Sequence, residues 1–211
     1  MKKLESSFKN MVMSLTFISI VLAGLLAFVY TQTKEPIAQA NKQKQEKAIR
    51  DVTPEFDNNP TEEKFKVEIA KVDSLTVFPA RKDKQLVGIA VETNTMKGFG
   101  GEIKIMVGFD TEGIVKNFSV LKHSETPGLG AKMQKWFSDT QKPNQSVINR
   151  KWHKEMKVKK DKGEIDAITG STITSRAFIG ALNRAYEAYQ KVMEIETQKQ
   201  DISEEQNPEL E

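Results

Sequence analysis

Hydrophobic and polar positions divide this chain into an apolar run, a polar stretch, a strand-rich region, and a long periodic segment with a charged tail. Met11 to Tyr30 is almost unbrokenly apolar and carries no charge. About 20 such residues match the hydrocarbon thickness of a bilayer, so the run predicts a transmembrane helix. Residues 31–60 are polar. Within them Glu35–Val52 is rich in Lys, Gln and Ala, lacks glycine, and carries a thin apolar stripe of Ile37, Ala40, Ala48 and Val52. That pattern predicts a stalk helix beginning near Pro36, where a proline suits a first turn. So thin a stripe fits a solvated helix as well as a docked one. Thr53-Pro54 and Asp57-Asn58-Asn59-Pro60 then read as a linker.

From residue 61 to 193 the pattern is that of a folded domain. Lys64–Val72 alternates, with Phe65, Val67, Ile69 and Lys71 on one side. Leu86–Val91 and Ile103–Phe109 are compact apolar runs, and Ile114–Leu121 follows the turn Asp110-Thr111-Glu112-Gly113. Such short spacings leave no room for crossover helices, so the expected sheet is mainly antiparallel. Gly98-Phe99-Gly100-Gly101 reads as a flexible loop, Ala131–Phe137 as a short helix, and Trp152–Val158 as a further strand. Thr172–Met193 repeats Phe178, Ala181, Leu182, Ala185, Tyr189 and Val192 at helical spacing, which predicts an amphipathic helix packed on the sheet. Residues 194–211 are dominated by Glu, Gln, Asn and Pro and read as a disordered acidic tail. The fold class is therefore α+β: a transmembrane helix and stalk, then an antiparallel sheet packed by helices.

Charge and composition narrow the chemistry. The 211 residues hold 32 basic against 29 acidic side chains, a balance too even to argue for nucleic acid. Zero cysteines exclude a disulfide framework, thiolate-bound metal and a cysteine nucleophile. Two histidines, His123 and His153, make a His-rich metal site a poor expectation. Hard chemistry would then come from a bound cofactor. Lys2, Lys3 and Lys9 precede the apolar run, which keeps residues 1–10 cytoplasmic by the positive-inside rule and sends the rest across the membrane. A cleaved signal peptide ending at Ala38-Gln39-Ala40 is the rival reading. The apolar run is long for that role, and the Ala-Gln-Ala lies well beyond its end.

Two segments carry candidate chemistry. Thr169-Gly170-Ser171-Thr172-Ile173-Thr174-Ser175 opens the long helix with hydroxyls and small residues. Unpaired N–H groups at a helix start, helped by the macrodipole, bind anions such as phosphate. Ordinary capping by Thr169 or Ser171 is the plainer explanation. Asp166 precedes this start; beside a phosphate it would suggest metal-assisted transfer, and otherwise it is a turn residue. The second segment, Glu125-Thr126-Pro127-Gly128-Leu129-Gly130, ends a strand with two glycines that let a backbone approach a planar ligand. It lacks the spacing of a phosphate-binding P-loop or a dinucleotide fingerprint. Trp136 and Phe137 would serve a core better than a cofactor. Lys157, Lys159 and Lys160 offer charge balance for a phosphate, and His123 is a lone histidine.

Together these segments resemble a known family. Asp166-Ala167-Ile168-Thr169-Gly170-Ser171-Thr172 is similar to the flavinylation motif of the FMN-binding domain family, Asp-x-x-Ser/Thr-Gly-Ala-Thr, with serine at 171 where alanine is usual. Glu125–Gly130 resembles that family's other signature loop, and Gly98–Gly101 fits as well. With the anchor, the chain resembles the G-subunit family of Rnf-type electron-transport complexes, whose relative in kind is the C subunit of the sodium-pumping NADH:quinone reductase. The resemblance implies FMN esterified through its phosphate to Thr172 by a separate flavin transferase. It implies cofactor contacts from Thr169, Gly170, Ser171, Thr174, Glu125, Thr126, Gly128, Leu129, Gly130 and Asp166, with Asp166 serving the attachment reaction. It also implies electron relay between ferredoxin-side and NAD-side partner subunits of an ion-translocating complex, with residues 11–30 in membrane lipid. Two alternatives remain: an anchored partner-binding module without redox chemistry, and a stand-alone extracytoplasmic flavin reductase domain.

Overall fold

A computed structural model describes residues 8–70, 73–153 and 155–205 of the chain. Residues 1–44 and 45–211 form two compact units. Lys2 and Lys3, and the end of the acidic tail at 206–211, lie outside the described residues. The expected anchor and stalk are one helix, α1 (Phe8–Val52), with Pro36 in its interior rather than at a start. Its apolar stretch is long enough to cross a bilayer and none of it is buried. Side chains such as Phe17 and Leu26 stand outward, as suits contact with lipid rather than a core.

In the second unit, six strands form one sheet in the order β1-β2-β3-β4-β5-β6. They are β1 (Phe65–Ala70), β2 (Asp73–Lys82), β3 (Gln85–Gly98), β4 (Gly101–Asp110), β5 (Ile114–His123) and β6 (Arg150–Lys151). Every pair of neighbours is antiparallel, as the short connections require. β2 is absent from the sequence reading because Pro79 interrupts it, and proline cannot donate to a central ladder. Here Pro79 lies beyond Val77, where pairing with β1 ends. Asn58 from the linker completes that free edge, donating to the Pro79 carbonyl at 3.0 Å and accepting from the Arg81 N–H at 2.9 Å. β3 runs past its apolar part because Thr93 and Thr95 continue the inward alternation as buried residues.

Alternation along the strands divides the core in two. Val77, Ile89, Val91, Ile105 and Val107 face the main core, while Phe78, Ala90 and Met106 face the other way. Side chains on a strand alternate between faces, so both faces of β2, β3 and β4 are covered. The second face meets the last turns of α1, where Ala48, Ile49 and Val52 are buried. Gly108 permits that approach: a Cβ there would lie 1.8 Å from the Val52 carbonyl oxygen. Of the two roles open to the stalk, its end takes docking, and the surface it docks on is its own domain's sheet.

Two helices complete the domain: α2 (Met133–Phe137), entered through a 3-10 turn at Gly130–Lys132, and α3 (Thr172–Glu205). α3 lies across the main face of the sheet. Phe178 stacks on Phe137 at 4.4 Å between ring centroids and meets Phe118 edge-on at 4.9 Å. Trp136 and Phe137 thus belong to packing. Lys154 of the expected strand Trp152–Val158 lies outside the described residues, and the described residues of that segment form no strand. After the two residues of β6 it runs irregularly, with Trp152, Met156 and Val158 buried and Asn183 of α3 holding it. The Trp152 indole donates to Asn183 Oδ1 at 3.0 Å, and Asn183 Nδ2 donates to the Met156 carbonyl at 2.9 Å. α3 also continues to Glu205, so the segment expected as an unstructured tail is helical for its first twelve residues.

Candidate functional site

Three chain segments converge at the N-terminus of α3: the β3–β4 turn, the loop after β5, and the helix start itself. Gly98 pairs with Gly101, so Phe99-Gly100 is a two-residue hairpin turn rather than a loose loop. After β5, Pro127 and Gly128 occupy the centre of a turn closed by the Leu129 N–H on the Thr126 carbonyl at 3.2 Å. Gly128 has φ +78°, the value a type II turn places at its third residue, with proline favoured just before it.

Glu125 joins all three segments. It is buried, with one carboxylate oxygen accepting from the Gly100 N–H at 2.9 Å and the other from the Thr174 hydroxyl. The His123 Nδ1 accepts from the Glu125 N–H at 3.2 Å, so this histidine shapes the turn. Gly130 closes the junction: a Cβ there would meet Glu125 Oε2 at 2.5 Å and Thr174 Oγ1 at 2.6 Å. A buried carboxylate is tolerable only when its oxygens are satisfied, and here two backbone turns and a helix depend on it.

The hydroxyls of the helix start have different employments. Ser175 is fully buried; its Oγ donates to the Ser171 carbonyl at 2.9 Å and accepts from the Ile168 N–H at 2.9 Å. Thr174 is committed to Glu125. Ser171 is buried, and Thr169 is exposed but does not line the adjacent cavity. Thr172 is half-exposed, lines that cavity, and its Oγ1 accepts from Lys160 Nζ at 3.0 Å. Gly170 just before has φ +76°, a left-handed turn glycine adopts without strain. Ser175 is the first residue here whose N–H reaches the carbonyl four back, at 3.0 Å. The Ser171 N–H is taken by the Ile168 carbonyl at 2.9 Å, and the N–H groups of Thr172, Ile173 and Thr174 lie at the open helix end, where they favour an anion.

The cavity is about 320 Å³ and is lined by Phe99, Glu125, Thr126, Leu129, Gly130 and the stretch from Gly170 to Thr174. That is the lower end of the range for small-molecule sites, suited to holding part of a flavin. Phe99, Leu129 and Ile173 keep 69%, 43% and 49% of their surface exposed here, which offers apolar contact to an aromatic ring. The sequence alone does not single out Phe99 and Ile173 as site residues; the only signal for Phe99 is an aromatic residue flanked by glycines. These residues fit FMN: a helix end and an ammonium for the phosphate, and apolar side chains for the ring. Gly128 and Asp166 do not line the cavity. Asp166 pairs with Lys159 at 2.9 Å, its N–H donates to the Asn144 carbonyl at 2.7 Å, and its carbonyl accepts from the Trp136 indole at 3.0 Å.

Comparison with known proteins gives the same direction. Residues 98–187 match the family model of the FMN-binding domain, and residues 1–52 match that of the RnfG N-terminal region. The G subunit of the ion-translocating oxidoreductase complex of Stutzerimonas stutzeri is 34% identical over 178 residues, 83% of this chain and 78% of the relative. The protein of that name from Vibrio cholerae serotype O1 (strain M66-2) is 32% identical over 179 residues, 82% of this chain and 86% of the relative. That of Salmonella typhimurium is 35% identical over 167 residues, 77% of this chain and 81% of the relative. The chain belongs to the G-subunit family of ion-translocating oxidoreductase complexes and carries its FMN-binding domain.

Proposed function

We propose that this chain is the FMN-carrying electron-transfer subunit of a membrane-bound Rnf-type ion-translocating oxidoreductase, with the FMN phosphate esterified to Thr172. One observation carries the choice of residue. Of the five hydroxyl side chains between Thr169 and Ser175, Thr172 alone combines accessibility, a place in the cavity wall and an oxygen beside a cation. FMN, when bound, supplies reversible electron transfer. The chain's own residues anchor it and shape its surroundings. The helix end and Lys160 balance the phosphate charge. Glu125 fixes the helix start against both flanking loops, and Phe99, Leu129 and Ile173 exclude water from part of the ring. A covalent tether keeps the cofactor in place in every oxidation state.

The wider assignment rests on the family. The relatives are named as complex subunits, which supports partner subunits on the ferredoxin and NAD sides and a relay role between them. Attachment requires a separate flavin transferase. In this reading the α1 segment 11–30 sits in the cytoplasmic membrane, and the lysines before it support an extracytoplasmic FMN domain by the positive-inside rule. Denaturing gels of membranes test the site: with the transferase present, wild-type chain gives a fluorescent flavin band, and Thr172→Ala gives none. A band that survives Thr172→Ala and disappears in Thr174→Ala would move the attachment to Thr174.

A further inference from the structure

The 3-10 turn Lys159–Asp161, outside both signature loops, is held on both sides and presents one ammonium to Thr172. On one side Asp166 binds Lys159 at 2.9 Å. On the other, Arg176 from the second turn of α3 makes two hydrogen bonds to the Asp161 carboxylate, at 2.7 and 2.6 Å. Beneath the turn, Val158 and Ile165 are buried and bridged, and the Lys159 N–H donates to the Ile165 carbonyl at 2.8 Å. Single exposed ion pairs hold little, but a bidentate arginine pair fixes geometry. Between the two clamps stands Lys160, its Nζ 3.0 Å from Thr172 Oγ1.

We propose that Lys160 is a positioning residue for flavin attachment, and that Asp166 reaches the site indirectly, through the turn that carries Lys160. The inference rests on Thr172 being the attachment point. A phosphate monoester does not esterify an alcohol in water unaided, so the donor must be a flavin phosphoanhydride. In the step, Thr172 Oγ1 bonds to the flavin phosphorus and the anhydride P–O bond breaks. The phosphate-bearing leaving group departs, and the hydroxyl proton passes to solvent or transferase; no electron moves. An ammonium donating to Oγ1 orients the hydroxyl, favours its loss of a proton, and then lies beside the anionic diester.

The test is the time course of attachment on the full-length detergent-extracted chain, with transferase and flavin donor, read by intact mass. Lys160→Met is expected to slow attachment by roughly five- to tenfold, the lower range for a charged hydrogen bond at an exposed site. Lys160→Arg is expected to recover most of the rate. Lys162→Met, a neighbouring exposed lysine, is expected to match wild type. Thermal unfolding of each variant, expected to be unchanged, separates the effect from folding. Lys160→Met at the wild-type rate, or slowed no more than Lys162→Met, overturns the role of Lys160 while Thr172→Ala still abolishes attachment. Persistent attachment in Thr172→Ala would instead overturn the site assignment beneath it.

Discussion

At Glu125, a single side chain decides whether the site exists. Its buried carboxylate accepts from the Gly100 N–H in the exposed hairpin turn and from the buried Thr174 hydroxyl, and removing it takes from that buried hydroxyl its carboxylate partner. Glu125→Ala should destabilise the domain by about 1–3 kcal/mol, measured by urea unfolding, and should lower flavin incorporation as well. Gly130→Ala should cost a similar amount, about 1–3 kcal/mol, because its Cβ would overlap both partners. A Gly130→Ala variant as stable as wild type would show that the junction relaxes freely. Much of this scale was legible: the hydroxyl-rich helix start, the Pro-Gly turn and Glu125 all stand out in the chain. The division of labour among the hydroxyls was not, since it depends on which side chains meet across a sequence gap of 49 residues. Lys160 was only one of several lysines until the turn placed it on Thr172.

Among the elements, α3 carries most of the organisation. Phe178 lies fully buried between Phe118 and Phe137, so Phe178→Ala should cost about 3–5 kcal/mol in chemical unfolding. Farther along the helix, burial pushes the Tyr189 phenol up to about 12, while its hydroxyl donates to the Thr111 carbonyl at 3.0 Å. A raised folded value means the neutral form is favoured in the native state. Its contribution is whole below the ordinary tyrosine value near 10 and is lost as pH rises from there to about 12. Stability measured across that window should fall less steeply in Tyr189→Phe; equal slopes would contradict the burial argument. At this scale β4 was legible because it is apolar on both faces, and α3 because its stripe is long. β2 was not, since Pro79 is acceptable only at an edge that the linker happens to cover. The run of α1 through Pro36 was also missed, since a proline near a polar boundary reads as a start.

On the scale of the whole molecule, an exposed apolar helix and a cofactor-type domain sit on one chain. The long apolar helix was legible from hydropathy alone, because about 20 uncharged apolar residues match the hydrocarbon thickness of a bilayer. The sheet-docked end of α1 was not, because three buried side chains, Ala48, Ile49 and Val52, make a stripe too thin to distinguish packing from solvation. In the folded domain this contact depends on Gly108. Gly108→Val should therefore displace the end of α1 from the sheet and expose its linker to limited proteolysis, with digestion no faster than wild type as the contrary result. The most direct test of the central claim is the intact mass of the chain extracted from membranes that contain the flavin transferase. The account predicts an increment of one FMN less one water, localised by fragmentation to Thr172. An unmodified mass under those conditions, or the increment on another residue, would contradict it.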